Sequence, residues 1–197
     1  MKGKLRKEQI LQAAVEVFAE HGYEKTSIAM ICEKVKIGRG TLYQYFRDKN
    51  SLFRELTEHH AGRIVSLMGA YEYEETISSL EEFLALRLIK ILVEISDHQE
   101  AYKILLHEAP AKSTGVDKLV REIRQRMIAV TTEDLQMGTK LGFFQLDDPE
   151  LFATLFIGAT LLAAEYYIFD AEVPAEPEGL ARKIARFQLR CLTDSSG

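Results

Sequence analysis

Residues 26–46 read TSIAMICEKVKIGRGTLYQYF, and their spacing predicts two short helices joined by a tight turn. In the first helix, apolar residues recur three and four positions apart and form one buried stripe: Ile28, Ile31, Cys32 and Val35. In the second helix, Leu42 and Phe46 lie four positions apart and anchor one face. The opposite face carries Arg39, Gly40, Thr41, Tyr43, Gln44 and Tyr45. Such side chains can hydrogen-bond with base edges and phosphates, so the segment is predicted to be a DNA-reading helix-turn-helix.

The distribution of charge separates a basic end of the chain from an acidic body. Residues 1–55 hold 11 Lys and Arg against 7 Asp and Glu, a net charge of +4. Residues 56–197 hold 14 against 23, a net charge of −9, and together the two parts give the whole-chain value of −5. Phosphate binding is therefore assigned to the first part, because DNA repels an acidic surface.

The composition is that of a folded protein with a charged surface. The 197 residues are 47% hydrophobic and 28% charged, which allows one sizeable core or two small ones. The chain opens with the basic residues Lys2, Lys4, Arg6 and Lys7. They give no apolar leader, so we expect a cytoplasmic protein. They could form an arm that follows DNA, or a frayed solubilising end. Cys32 and Cys191 form no ligand cluster, and we expect Cys32 to be a reduced, buried thiol.

A set of residues spread over the first helices carries a family resemblance. The set comprises Ala14, Phe18, Gly22, Tyr23, Thr26, Ile31, Gly40, Thr41, Leu42, Tyr43, Tyr45, Phe46, Lys49, Leu52 and Phe53. In this order they resemble the N-terminal domain of the TetR family of bacterial transcription regulators. Two positions depart from the family pattern. Lys36 stands where many members have the turn glycine, and Gly38 stands where many have a serine that caps the recognition helix.

Both departures have small energetic consequences. Lys36 would carry backbone strain of about 1 kcal/mol if its conformation is left-handed. Gly38 remains an acceptable N-cap, worse than serine by a few tenths of a kcal/mol. Neither removes the motif, although both could alter the pitch of the recognition helix.

Helix start and stop residues are also found on both sides of the helix-turn-helix segment. The first helix is predicted over residues 7–21, with Gly22 as its stop, and the next helix starts at Ser27 with Thr26 as its cap. Asp48 is the predicted N-cap of a linking helix that runs to residue 72. We therefore expect a helix-turn-helix domain at 1–47 and a larger effector-binding and dimerisation domain at 48–197.

The resemblance implies roles at DNA for part of this domain. Thr41, Tyr43 and Lys49 look like phosphate contacts, as does Tyr45. The N-terminal ends of the second helix and of the linking helix would add backbone N–H donors to phosphate. The residue types favour Arg39 and Gln44 as base readers, since Arg pairs well with guanine and Gln with adenine. The predicted DNA-binding set is Thr26, Ser27, Arg39, Gly40, Thr41, Tyr43, Gln44, Tyr45 and Lys49. The alternative is a merely solvated helix face.

The remaining chain also reads as helices, so the predicted fold is all-α. Ser79 and Glu82 form a capping box in front of an unusually apolar helix that extends to residue 95. A short helix over 101–109 is broken near Pro110. The stretch 111–115 is a connection, and a longer helix covers 116–141.

The last two helices, about 149–169 and 177–192, are predicted to form a homodimer interface. The first of them starts at Asp147-Asp148-Pro149 and is apolar nearly all round. A membrane span is the alternative reading, but Glu150 and Glu165 count against it. Small residues would let a partner helix approach closely: Gly158, Ala159, Ala163 and Ala164. A helix of this kind packs on its own core and on a second subunit.

Isolated polar residues on the apolar body helices are candidates for effector binding. Together with apolar neighbours they form the set Arg87, Ile91, Glu94, Tyr102, His107 and Phe144. Lone polar residues in such helices are also often hydrogen-bonded core or surface groups. The aliphatic and aromatic content of residues 83–95 and 143–144 suggests an apolar or amphipathic effector, although a dry core has the same composition.

The sequence offers little support for metal binding or catalysis. His59 and His60 are adjacent, and adjacent helical positions point about 100° apart. No nucleophile elbow, P-loop, HExxH or dinucleotide fingerprint occurs, so no enzyme and no cofactor are expected.

Taken with the resemblance, these features predict a transcriptional regulator that binds a palindromic operator as a homodimer. An effector in the body would shift the linking helix and move the two DNA-binding ends out of register with the grooves. Two other classes stay open: a protein-binding adaptor with this fold, and a ligand-binding module without an operator.

Overall fold

The computed structural model describes residues 2–69, 79–107 and 116–193. Within these ranges every regular element is a helix, which confirms the all-α prediction. The helices are α1 Lys2–Lys25, α2 Ile28–Val35, α3 Arg39–Tyr43, α4 Lys49–Gly69, α5 Leu80–Asp97, α6 Gln99–His107, α7 Val116–Lys140, α8 Pro149–Ala164, which continues as a π-helical turn over Glu165–Asp170, and α9 Pro177–Thr193. The predicted break near Pro110 and connection at 111–115 lie outside the described residues.

The first helix differs from its predicted bounds at both ends. It begins at Lys2 rather than near residue 7, so the basic N-terminus is part of α1 and not an extended arm. Lys and Arg are good helix formers, and they extend the helix backwards from its apolar stripe. At the other end, Gly22 has φ 74° and ψ 162°, which breaks the helix at the predicted stop. A last turn then runs on to Lys25 beyond the break.

The capping residues lie at the predicted positions for three helices. Ser79 accepts a hydrogen bond from the Glu82 N–H at the start of α5. Asp148 accepts one from Leu151 N–H at the start of α8, directly before Pro149. At the start of α4, the Asp48 carboxylate accepts a 2.7 Å bond from the N–H of Ser51. Each cap satisfies one of the N–H groups that a helix start leaves without an internal partner.

The contacts divide the chain into two compact units. The first joins Met1–Gly62 with Glu100–Arg121, and the second joins Arg63–Gln99 with Glu122–Gly197. The chain passes between the units at three points, and each lies inside a helix: in α4, at the start of α6 and in α7. The boundary predicted from the sequence, after residue 47, separates the DNA-binding domain from the rest and differs from these contact-based units. It stays a prediction.

The first unit is built on an aromatic cluster between α1 and α4. The rings of Phe18 and Phe53 meet edge-on with centroids 5.2 Å apart, and Tyr23 lies 4.7 Å from Phe53. The same unit contains fully buried aliphatic side chains: Ile10, Leu42, Leu52 and Leu56. Tyr102 of α6 donates a 3.0 Å hydrogen bond to the carbonyl oxygen of His60, which ties α6 to α4. Because aromatic pairs of this geometry add to the burial of apolar area, the cluster fixes α4 on α1.

The second unit has its largest helix-to-helix contact between α5 and α9. A core of buried side chains from α7, α8, α9 and the segment after α7 completes it: Leu135, Phe144, Ala153, Phe156 and Leu192. Gln188 of α9 donates a 3.3 Å hydrogen bond to the Thr160 hydroxyl of α8 inside this unit. The polar pair is therefore satisfied where it is buried.

Phe144 reaches this core by folding back over α7. Gly142 has φ +80°, a conformation that ends the helix, and the N–H of Phe143 then bonds to the carbonyl of Gly138 at 3.0 Å. A Cβ atom at Gly138 would lie 2.9 Å from Phe144 Cε1 and closer still to Cζ. Gly138 is thus required by the ring that covers it.

We predict that Gly138→Ala destabilises the protein by about 1–3 kcal/mol, because the buried Phe144 ring has no free space to move into. Urea unfolding followed by circular dichroism measures the change. Gly62→Ala is the matched control: its Cβ meets nothing within 4 Å, so it should gain about 0.5–1 kcal/mol of helix stability. A Gly138→Ala protein as stable as the parent would show that the ring does not pack as described.

Candidate nucleic-acid interface

The helix α3 is seated in the first unit by two buried anchors. Leu42 is 0% exposed and Phe46 is 2% exposed, as the four-residue spacing predicts. The regular helix ends at Tyr43, earlier than the predicted end at Phe46. The N–H groups of Tyr45 and Phe46 both bond to the carbonyl of Leu42, so the chain continues in a tightened last turn that still buries Phe46.

The opposite face of α3 is accessible. Arg39, Gly40 and Gln44 are exposed, and Tyr43 keeps 53% of its surface open. Thr41 and Tyr45 are half-buried. A Cβ at Gly40 would meet nothing within 4 Å, so the backbone there is open to close approach. The structure therefore brings together, on one side of a short helix, most of the residues that the sequence places at DNA.

The turn between α2 and α3 contains a left-handed residue at Lys36. Lys36 has φ 57° and ψ 51°, the left-handed conformation, and is the residue that ends α2. Its N–H bonds to the carbonyl of Glu33, and the N–H of Ile37 bonds to that of Cys32. Gly38 starts α3 with an extended backbone and no side-chain cap. The turn thus costs about 1 kcal/mol of strain at Lys36, offset by two satisfied carbonyls.

The start of α2 corrects one prediction. Ser27, not Thr26, is the N-cap: its hydroxyl oxygen accepts a bond from the N–H of Met30. Thr26 is buried, and its hydroxyl donates a 2.8 Å bond to the carbonyl of Gly22. Of these two hydroxyls, only that of Ser27 is exposed to a phosphate. Adjacent Thr and Ser are equally good caps by residue type, so the sequence alone could not choose between them.

Lys49 has surroundings that the resemblance does not suggest. Its ammonium group donates to the carbonyl oxygens of Tyr23, Glu24 and Thr26 at 2.6, 3.2 and 2.9 Å. It also lies 4.3 Å from the centroid of the Tyr23 ring. An ammonium group has three hydrogens, and here all three are used within the protein.

The cysteine behind the recognition helix is confirmed as a buried free thiol. Cys32 is buried on α2, and Cys191 is a half-buried free thiol in the second unit. Burial raises the pKa of the Cys32 thiol, while the nearby Arg39 charge acts in the opposite direction. Desolvation disfavours the thiolate, and the buried position of Cys32 on α2 is that of a packed core side chain.

The polar effector candidates already have partners within the protein. Arg87 of α5 pairs with Asp134 of α7 at 2.5 Å, and Glu94 accepts two bonds from Arg63, at 2.5 and 2.7 Å. Tyr102 belongs to the first unit, where it bonds to His60. Desolvation lowers the pKa of Arg87 to about 10 and raises the pKa of Asp134 to about 7, because burial disfavours the charged form of each group.

The other candidates add little polar character. Ile91 and Phe144 are buried in the second unit. The side chain of His107 lies outside the described residues. Among the residues that the structure describes, no group of three or more His, Cys, Asp or Glu side chains is arranged to hold a metal ion, and the His59 and His60 rings simply meet edge-on with centroids 5.1 Å apart.

Comparison with known proteins agrees with this arrangement. The family profile described as bacterial regulatory proteins, tetR family, matches residues 10–56, from α1 through the start of α4. The chain is 28% identical to the HTH-type transcriptional regulator YhgD of Bacillus subtilis over 172 residues, which is 87% of each chain. Residues 10–56 are therefore identified with the N-terminal domain of the TetR family, and the relatives that match beyond them are transcriptional regulators.

Other relatives extend the likeness of this regulator beyond its N-terminal unit. It is 27% identical over 138 residues to IcaR of Staphylococcus epidermidis, a negative transcriptional regulator of the biofilm operon icaADBC; the match covers 65% of this chain and 75% of IcaR. The structure of the transcriptional regulator FadR from Bacillus subtilis in complex with stearoyl-CoA has a TM-score of 0.79 at 20% identity, and covers 92% of this chain and 97% of FadR. This last likeness shows a shared fold.

Proposed function

We propose that this regulator binds a palindromic operator as a homodimer and represses transcription until an apolar or amphipathic effector binds its helical body. The observation that carries the proposal is the anchored α3 helix, whose open face presents Arg39, Tyr43 and Gln44. The DNA-binding end is taken as residues 1–47, and the rest as the effector-binding and dimerisation domain. The net charge of +4 on residues 1–55, against −9 on the remainder, supports this division.

The exposed residues divide into two roles at DNA by their chemistry. Arg39 and Gln44 can each make two hydrogen bonds to one base edge, Arg with guanine and Gln with adenine. Tyr43, Thr41 and Ser27 carry hydroxyls that suit phosphate oxygens, with Tyr45 beside them. The N–H groups at the start of α2 add donors next to Ser27, where the helix dipole favours an anion.

We predict that selection of bound duplexes from random DNA at physiological salt recovers a palindrome. Arg39→Ala should relax the preference at one base position per half-site, at a cost of about 1–3 kcal/mol, because only a base contact carries sequence information. Tyr43→Phe, which removes only the hydroxyl, should weaken binding evenly across sequences. The control is Lys90→Ala, which removes an exposed charge from α5. A folded protein that enriches no sequence would favour the adaptor or ligand-binding alternatives.

A homodimer through α8 and α9 is supported by an apolar face that the chain does not cover. Along α8 and its π-helical turn, exposed residues recur three or four positions apart and so lie on one face of the helix. They are Leu151, Leu155, Gly158, Leu162 and Tyr166. Phe187 is the exposed apolar residue of α9. Ala164 is buried in its own unit and does not belong to this face, which corrects its predicted role. Single exposed apolar residues are common, but a continuous row indicates an interface.

The length and composition of α8 with its π-helical turn also fit a membrane-spanning helix. Pro149–Asp170 is the one helix of the described residues that is long and apolar enough to cross a membrane by length and composition, and most of it is unburied. Its exposed face also carries Glu150 and Thr154 at the start. A helix shared between two subunits has this composition as well, and the similarity of the chain to transcriptional regulators favours that interpretation.

We predict that Leu162→Glu converts the dimer to a monomer, because the charge would be buried without a partner at the centre of the row. Sedimentation velocity at micromolar concentration measures the change. The matched control is Val173→Glu, the same type of substitution in a loop at 84% exposure, which should leave the dimer intact. A Leu162→Glu protein that still sediments as a dimer would contradict this interface.

The effector proposal is supported by internal neutralisation of the charged body residues. Since Arg87 and Glu94 are paired with Asp134 and Arg63, these four charged groups already have partners within the protein and need none from a ligand. FadR of Bacillus subtilis, which shares the fold, holds stearoyl-CoA. An effector acts only if it binds the DNA-free arrangement more tightly than the operator-bound one.

We predict that long-chain acyl-CoA lowers operator affinity, and that the effect grows with acyl chain length because apolar burial supplies the binding energy. Fluorescence anisotropy of a labelled operator measures it, with coenzyme A alone as the control that lacks the acyl chain. Acyl-CoA that binds the protein and leaves operator affinity unchanged would contradict the proposed release.

A further inference from the structure

Lys36, between α2 and α3, is the one non-glycine residue with a positive φ angle among the residues that the structure describes. Its φ of 57° and ψ of 51° place the backbone in the left-handed region, where a Cβ atom is strained and glycine is not. The hydrogen bonds of the turn come from the backbone, since the Lys36 N–H donates to the carbonyls of Cys32 and Glu33. Glycine would keep these bonds, so the conformation of the turn alone does not explain a lysine here.

Packing within the protein does not explain the lysine either. The side chain is exposed, and its ammonium group has no acidic or hydrogen-bonding partner in the part of the chain that the structure describes. Other basic side chains of the first unit are matched by carboxylates within it: Lys7 by Glu55, Lys34 by Glu16 and Arg54 by Glu58. A strained residue that the fold does not require is typical of a functional position.

The backbone that follows Lys36 is open to another molecule. Arg39, three residues later, is exposed and starts α3. A Cβ atom added at Gly38 or at Gly40 would meet nothing within 4 Å, so a second molecule can approach the backbone on both sides of Arg39. Lys36 and Arg39 bring two positive charges to this open segment, and such a surface attracts a polyanion.

We propose that Lys36 makes a phosphate contact from the turn of the helix-turn-helix, where the strain of the turn lowers stability and the cation raises operator affinity. The inference rests on the proposed operator binding, because it adds a contact to the same interface. With α3 in a major groove, Arg39 and Gln44 read base edges, while Lys36, outside the helix, binds the DNA backbone beside them. A flexible ammonium group suits this contact, because it acts as a point charge and needs no fixed orientation.

Operator binding at rising salt detects the contact. Lys36→Gly should make the slope of log affinity against log salt shallower by about 0.9 per subunit, because each phosphate contact releases about that number of counterions. At low salt, operator affinity should fall about tenfold for a dimer that loses two such contacts. Lys36→Arg keeps a cation and should keep the slope of the parent protein.

Two further variants separate the charge from other effects of the substitution. Lys36→Asn removes the charge and tolerates the left-handed backbone, so it should change the slope as Lys36→Gly does. Lys34→Gln removes a cation of α2 that is already paired with Glu16 at 2.6 Å, and should keep the parental slope. A parental slope in both Lys36→Gly and Lys36→Asn would overturn the inference, as would an equal change of slope in Lys34→Gln.

Thermal unfolding distinguishes a strained functional residue from a structural one. Lys36→Gly should raise the midpoint of unfolding, because the relief of left-handed strain exceeds the extra entropy that glycine loses on folding. The same variant should bind the operator more weakly, so stability and affinity change in opposite directions. A lower midpoint for Lys36→Gly would show that the lysine stabilises the turn, and the inference would then be wrong.

Uncharged linkages in the operator identify the phosphate itself. The duplex is the one that selection with the parent protein recovers, and its phosphates are replaced one at a time by methylphosphonate. At one phosphate in each half-site, the replacement should weaken binding by the parent protein and have no further effect on Lys36→Gly. Equal losses for the two proteins at every phosphate would contradict the contact.

Failure of the proposed function gives a different result from failure of this contact. A parent protein that enriches no duplex rejects the proposed operator binding, and the contact with it. A parent protein that binds a palindrome, with Lys36 variants of the same affinity and slope, leaves operator binding in place and rejects the contact at Lys36 alone.

Discussion

The burial of Leu42 and Phe46 is the constraint on which the DNA-binding face depends. A helix of five residues, Arg39–Tyr43, is far too short to persist in water on its own. Its orientation is set by two side chains that are almost completely enclosed in the first unit. Because helical side chains separate by face, the same burial turns Arg39, Tyr43 and Gln44 outward together. The residues that the face presents to DNA therefore follow from this anchor.

Much of this arrangement could be predicted from the sequence because its causes are local. The caps formed by Asp48, Ser79 and Asp148 bond to N–H groups three residues away, so residue type and spacing identify them. Anchors four residues apart follow from the helical repeat. The left-handed turn at Lys36 is equally local, and there the resemblance supplied the expected backbone and the structure confirmed it.

The remaining features depend on partners that are distant in sequence. Lys49 bonds to carbonyls 23 to 26 positions earlier, and the residue types around Lys49 do not predict those contacts. Arg63 and Glu94 are 31 positions apart, so neither could be recognised as an ion pair before the fold was known. The apolar composition of α8 indicated two packing faces, but only the burial of Ala164 and the exposure of Leu162 show which face is which. Sequence periodicity fails in α8 because both of its faces are apolar.

The account joins two claims: α3 enters a major groove, and a two-fold axis through α8 and α9 sets the distance to a second α3. A hydroxyl-radical footprint of the full chain on a duplex that it binds tests both at once. The account predicts two protected windows whose centres lie about one helical turn, roughly 10 base pairs, or a multiple of it, apart. A single protected window, or protection with no such spacing, would contradict it.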